Sequence, residues 1–227
     1  MTGPREPGGL PPDHPARAPY RDEGAAAEYA RDRFATGTGP ATDRREREIL
    51  GDLLGRVGLP RGARVLDCPA GAGRLTPLLA ARGWTVVAAD QSPAMLAHAE
   101  TGLTGAALPR RLAVADALLL PFRPDAFDLV VCHRLMHHLP TEPERRALLA
   151  SLARASRRWV LLSWFDAVSL QHLRRVVRRP FRPSRRYAVP RGTLLGDAAS
   201  AGLRPVALRA LRPWVSELTF VLLEGSR

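Results

Sequence analysis

Lysine and asparagine are missing from this chain altogether, and isoleucine occurs once, at Ile49. All three have AT-rich codons, so their scarcity reads as a GC-rich coding sequence. It also explains why each of the 34 basic residues is arginine. The arginine excess is therefore weak support for a nucleic-acid partner, although a net charge of +12 still sets a positive surface potential that attracts anions. Two cysteines cannot build a disulfide framework. No Gly-X-Y period is present, which excludes a collagenous chain, and a hydrophobic share of 45% is too high for full disorder. No apolar run approaches the roughly 18 residues of a membrane span. The first residues, MTGPREPGGLPPDHPARAP, lack the apolar centre of a secretory signal, so a cytoplasmic location is expected. What remains is 227 residues, enough for one domain with a sizeable core and short appendages.

Residues 1–20 are rich in proline, glycine and charge without periodicity, and are expected to form a disordered tail. Residues 21–60 are expected to form a helical cap. Ala25, Tyr29 and Phe34 fall near one face of a first helix, and Ile49, Leu53 and Leu54 near one face of a second, beside the charged stretch Arg44 to Glu48. Thr36 to Pro40 is expected to be a loop between them. From residue 61 onward, short β-rich runs alternate with helical patterns. Strands are expected over 64–68, 84–90, 111–116, 127–132 and 159–164, with helices over 75–82, 93–100, 142–155 and 191–201. Residues 206–211 and 214–223 read as a final antiparallel pair. This alternation predicts an α/β domain over 61–227 with a mostly parallel sheet, helices on both faces and an antiparallel C-terminal element. Ligands of such sheets bind at the carboxyl ends of the strands, where the strand order reverses.

The first strand runs into Asp67-Cys-Pro-Ala-Gly-Ala-Gly73. Glycines there allow a tight turn and close approach of a ligand to the backbone. A dinucleotide fingerprint is not met, because Thr76 stands where the third glycine belongs. Asp67 would also repel a pyrophosphate, whereas it suits a ligand carrying an ammonium and hydroxyls. Asp90 ends the second strand, about 20 residues beyond the loop, where a carboxylate can accept from both hydroxyls of a ribose. Asp116-Ala117 follows the third strand, and its carboxylate can accept from an exocyclic amine. Three acids at three strand ends with one glycine loop fit an adenosine that bears no phosphate.

These residues make the chain resemble the class I S-adenosylmethionine-dependent methyltransferases, in the group of the ubiquinone/menaquinone and small-molecule enzymes. The resemblance is close over 63–158. It implies a Rossmann-like, mostly parallel seven-stranded sheet and S-adenosyl-L-methionine as cofactor. Asp67, Gly71 and Gly73 match the family's D-x-G-x-G-x-G loop, with Pro69 in place of its first glycine. The resemblance implies that this loop packs against the methionine portion and that Asp90 binds the ribose. It likewise implies that Gln91 and Met95 flank the adenosine, that Asp116 and the Ala117 amide clamp the adenine, and that His133 lines the methyl-transfer site.

Blander readings stand beside these. Gly71 and Gly73 could be turn glycines, Asp90 a helix cap and Asp116 a turn residue. Cys68 and Cys132 are expected as two buried thiols on neighbouring strands. Cys132, His133, His137 and His138 have no metal-ligand spacing, so no metal is expected. His133 or His137 is a candidate general base, since a neutral imidazole is poised near pH 7.

Residues 165–190 form an arginine-rich insertion, with arginines at 174, 175, 178, 179, 182, 185 and 186. It reads either as a solvated face or as a substrate lid holding an anionic acceptor. Val176, Val177 and Phe181 among these arginines also permit a basic amphipathic patch touching an anionic membrane. The expected activity is methyl transfer to O, N or C of a small or lipid-like acceptor. An RNA methyltransferase is the alternative that charge favours. Against it, Cys132-His-Arg-Leu-Met-His137 is not the Asn/Asp-Pro-Pro-aromatic signature of adenine-N6 enzymes. A non-catalytic binding protein is the other alternative, and the three retained acids argue against it.

Overall fold

A computed structural model of the chain describes residues 39–105, 111–178 and 186–225. The expected tail and first cap helix, with Phe181, Arg179, Arg182 and Arg185, lie outside the described residues. The first described helix, α1, spans Gly39–Gly55. Gly39 and Pro40 belong to it rather than to a loop. Proline is tolerated in a first turn, where its missing N–H would have had no partner.

Seven strands follow in one sheet: β1 (Arg64–Asp67), β2 (Thr85–Asp90), β3 (Leu112–Val114), β4 (Phe127–Cys132), β5 (Ser156–Phe165), β6 (Leu203–Ala210) and β7 (Leu218–Gly225). Their order is β3-β2-β1-β4-β5-β7-β6. β1 pairs in parallel with both β2 and β4, and β4 in parallel with β5, while β7 is antiparallel to both β5 and β6. So β7 alone runs against the rest, as the sequence pattern suggests. The order reverses between β1 and β4, which puts the ligand crevice outside their carboxyl ends.

Between the strands lie α2 (Thr76–Ala80), α3 (Pro93–Gly105), α4 (Glu142–Ala155), α5 (Leu170–Arg178) and α6 (Arg191–Ser200). β4 shows why a mostly buried sheet reads as a continuous apolar run. Its Leu129 and Val131 pack with Leu50, Leu53 and Leu54 of α1, and its Val130 and Cys132 pack with Leu148, Leu149 and Leu152 of α4. Alternate side chains thus fill two cores, one on each face. Thr141 caps α4: its hydroxyl accepts from the Glu144 N–H while the Glu144 carboxylate accepts from the Thr141 N–H at 3.0 Å. Cys68 and Cys132 are both buried and unbridged.

Several boundaries differ from the sequence expectation, β6 among them, which begins at Leu203. β5 begins at Ser156, because Arg157 and Arg158 remain exposed while pairing with Asp128 and Glu224. β7 begins only at Leu218, and Trp214 sits in the preceding turn at φ +64°. α5 is a helix that no apolar stripe on a buried face announces, since none of its residues is buried. Among the described residues, no helix is long and apolar enough to cross a membrane.

Candidate active site

The loop leaving β1 is fastened from below. Asp67 ends the strand almost fully buried, and its Oδ2 accepts from the Thr76 hydroxyl at 2.8 Å. Thr76, which breaks the dinucleotide pattern, is therefore a partner of the first acid. The Cys68–Pro69 peptide is cis. Gly71 (φ +56°) donates its N–H to Asp90 Oδ2 at 2.9 Å, and Ser92 N–H donates to Asp90 Oδ1 at 2.9 Å. Asp90 thus ties the glycine loop to the end of β2. At Gly73 (φ +78°) a Cβ would lie 3.0 Å from the Ala99 Cβ, so α3 can pack against this turn only if it carries no side chain.

Burial dominates the acids. It pushes Asp67 up to about 7, against the Thr76 hydrogen bond and the Arg74 charge that favour ionisation. It also raises Asp90, against the N–H bonds from Ser92, Gly71 and Gln91.

A cavity of about 330 Å³ opens at the carboxyl ends of β1, β2 and β4. Asp67, Pro69, Gly71, Asp90, Gln91 and Met95 form one wall, and His133, Arg134, Leu135 and His138 form another. Asp43 and Arg47 of α1 close it from a third side. A small recess adjoins it, sharing Pro69, Gln91 and Leu135 and adding Cys68, Asp116, Ala117 and Leu118. Asp116 Oδ1 accepts there from the Leu118 N–H at 2.9 Å, capping a short turn. Two expected residues reach neither the cavity nor the recess. Gly73 faces α3 instead. His137 is buried behind it, stacked on Phe165 with ring centroids 4.1 Å apart, and His138 takes the wall position.

Glu46 was not anticipated. It is fully buried on α1, where Arg74 Nη2 donates to Oε2 at 2.8 Å, His133 Nε2 lies 3.1 Å from the same oxygen, and Arg134 donates to Oε1. Arg74 also bridges to Asp43, which holds Arg47 at 2.7 Å. Burial opposes the charge on Glu46. The His133 hydrogen bond and the nearby positive groups more than offset it, and hold the carboxyl well below the usual range. The signal for this residue was its place in the stripe 46/49/50/53/54, the face on which Ile49, Leu50, Leu53 and Leu54 are buried.

His133 is pushed down to about 4, chiefly by burial, with Glu46 opposing and the two arginines assisting. The imidazole is therefore neutral at physiological pH and a weaker base than its sequence position suggests. With Glu46 ionised, Nε2 carries the proton and donates to it, leaving a buried lone pair on Nδ1 that no group among the described residues engages. The ring stacks on Phe220 with centroids 5.4 Å apart.

The donor set fits an adenosyl sulfonium ligand: acids at the ends of β1, β2 and just beyond β3, a backbone cradle at Gly71, and a cavity with an adjoining recess. Known proteins agree with the fold. Residues 65–158 match the family model of a methyltransferase domain. An uncharacterized protein of Mycobacterium tuberculosis is 28% identical over 147 residues, 65% of this chain and 53% of that one. The chain thus spans about half the length of its mycobacterial relatives. A ubiquinone biosynthesis O-methyltransferase of Bordetella parapertussis is 27% identical over 172 residues, 71% of this chain and 70% of that protein. In fold, the chain is similar to magnesium protoporphyrin IX methyltransferase from Synechocystis, solved with bound SAH, at TM-score 0.72 and 18% identity, covering 92% and 97% of the two chains. Residues 65–158 thus match a methyltransferase domain, within a fold similar to that of a solved S-adenosylmethionine-dependent enzyme.

Proposed function

We propose that the protein transfers the methyl group of S-adenosylmethionine to O, N or C of a small-molecule or lipid-like acceptor. The observation that carries this reading is the arrangement of Asp67, Asp90 and Asp116 around one cavity and its adjoining recess. In it, Asp90 accepts the ribose hydroxyls, Gln91 and Met95 flank the nucleoside, and Asp116 with the Ala117 amide holds the adenine in the recess. Asp67 and the 69–73 loop take the amino-acid end, Gly73 by shaping the turn.

When bound, the cofactor supplies a methyl made electrophilic by its sulfonium. The protein holds donor and acceptor in line and excludes water, and orientation of this kind supplies much of the acceleration. His133 contributes a neutral ring, fixed by Glu46, to the wall against which the acceptor packs, its Nδ1 being buried away from the cavity. With a pKa of about 4 it orients the acceptor rather than deprotonating it. His137 steadies this wall through Phe165.

Calorimetry with S-adenosylhomocysteine tests the reading. Binding at one site per chain is expected. An absence of binding would overturn it in favour of a methyltransferase-like protein without the activity. Mass spectrometry of metabolites that gain one methylene unit, on supply of cofactor and cell extract, then finds the acceptor.

A further inference from the structure

Helix α5 presents its faces in an unusual sense. Its polar side is turned to the domain. Glu217, only 2% exposed, receives the Arg175 guanidinium at 3.0 Å and lies 3.4 Å from His172 Nδ1, and its N–H donates to Gln171 Oε1 at 3.2 Å. Leu170, Leu173, Val176 and Val177, at helical spacing, share the opposite side and face outward, Leu173 at 59% and Val177 at 66% exposure.

The turn before β7 extends this apolar face. Leu170 N–H donates to the Trp214 carbonyl at 2.9 Å and Gln171 N–H to the Val215 carbonyl at 3.0 Å. That holds Trp214, 80% exposed, and Val215 beside the helix. Trp214 keeps a left-handed backbone, uncommon for a bulky residue, while its indole stands in solvent. Contiguous exposed apolar surface of this kind marks an interaction site.

Charge selects the partner. Arg174, Arg178 and Arg212 are exposed around the patch, and residues 168–178 and 211–216 contain no acid. A second copy would bring guanidinium groups against guanidinium groups, on a chain already at +12. An anionic bilayer offers the complement: hydrocarbon for leucine, valine and tryptophan, phosphate for arginine, and an interface that suits indole.

The patch also lies at the same end of the sheet as the cavity. α5 follows the carboxyl end of β5, Arg175 lies over the Phe165 ring at 5.7 Å, and Phe165 stacks on His137, next to the cavity-lining His138.

We propose that α5 and the Arg212–Ser216 turn form a platform by which the protein rests in the headgroup layer of an anionic lipid surface, with the cavity at the same end of the sheet. Each arginine at such a surface contributes roughly five-fold in partitioning, so three favour anionic over neutral vesicles by on the order of 100-fold.

The test is cosedimentation of the full chain with vesicles of phosphatidylcholine alone and of phosphatidylcholine with phosphatidylglycerol. Binding to the mixed vesicles only is expected, weakening with salt. A blue shift of tryptophan emission should accompany it and vanish in Trp214→Phe, because Trp84, Trp159 and Trp164 are buried. The double variant Leu173→Asp/Val177→Asp should lose vesicle binding while keeping its melting temperature and its affinity for S-adenosylhomocysteine.

Failure of the full chain to prefer anionic vesicles overturns the proposal, whether its own remaining residues or a second copy cover the patch. Undiminished binding by the double variant also overturns it, since the general positive charge would then suffice. A dimer in sedimentation velocity that the double variant dissociates would identify a second copy as the occupant and overturn it too. No methyl acceptor enters the assay, so its failure leaves the methyl-transfer reading standing, and loss of that reading leaves the platform standing.

Discussion

Glu46 and His133 meet at 3.1 Å in the interior, joining α1 to the end of β4 across a separation of 87 residues. This contact sets the imidazole's tautomer and aligns its ring, and the same carboxylate neutralises two arginines at the cavity edge. Removing one partner of a buried charge cluster leaves the others uncompensated. Glu46→Ala should therefore cost about 3–5 kcal/mol of stability in urea denaturation. Glu46→Gln, which keeps an acceptor for Nε2–H, should cost less. Nitrogen-15 NMR should find His133 neutral and protonated at Nε2 at pH 7, and a protonated Nδ1 would contradict this geometry.

Asp90 serves the loop before it serves any ligand. Asp90→Ala removes the carboxylate acceptor of the Gly71, Ser92 and Gln91 N–H groups, at about 1–3 kcal/mol for each one left unsatisfied. Its affinity for S-adenosylhomocysteine should fall at least about ten-fold, with Asp90→Asn intermediate. Calorimetry checks this, and parental affinity in the alanine variant would remove the ribose from this carboxylate.

Asp67 gives the free protein a pH dependence of definite sign. Its folded pKa of about 7 lies above its ordinary value of 3.8, so in this interval the folded state holds the proton more tightly. The protonated form's advantage is fully present below about pH 4 and is lost as the pH rises through 7. His133 acts oppositely between about 4 and 6.5, since the unfolded chain binds that proton more tightly. The difference between the parent and Asp67→Asn isolates the first effect. Relative to the variant, the parent should lose stability from pH 4 to 7.5 at up to about 1.4 kcal/mol per pH unit. Denaturation midpoints across that range measure it, and parallel curves would contradict it.

Gly73→Ala tests the packing of the loop on α3. The new methyl would sit 3.0 Å from the Ala99 Cβ and 3.2 Å from its Cα, at a φ of +78°. A loss of about 1–3 kcal/mol is expected from strain and contact together, read as a lowered melting temperature. Gly102→Ala has nothing within 4 Å and serves as the control.

What the chain discloses about itself follows from range. Asp67, Asp90 and Asp116 stand out because each stands at or just beyond the end of a strand and precedes a turn, a signal carried within a few residues. The alternation of strands and helices is local in the same way, so the sheet's parallel body is legible. Glu46 sits in a charged stretch that looks solvated, and only Arg74, Arg134 and His133, distant in sequence, make its burial tolerable. α5 escapes a search for apolar faces turned inward because its inward contacts are polar, centred on Glu217. The weak basicity of His133 comes from its enclosure beneath α1, which no short motif encodes.

The position of β7 has a consequence for synthesis. The strand made after β6 slots in on its inner side, between it and β5. A nascent chain that has just emerged through Ala210 would carry two ladders awaiting the same missing member. A stop codon anywhere before Leu218 would leave both unmatched, a fate far harsher than trimming a border.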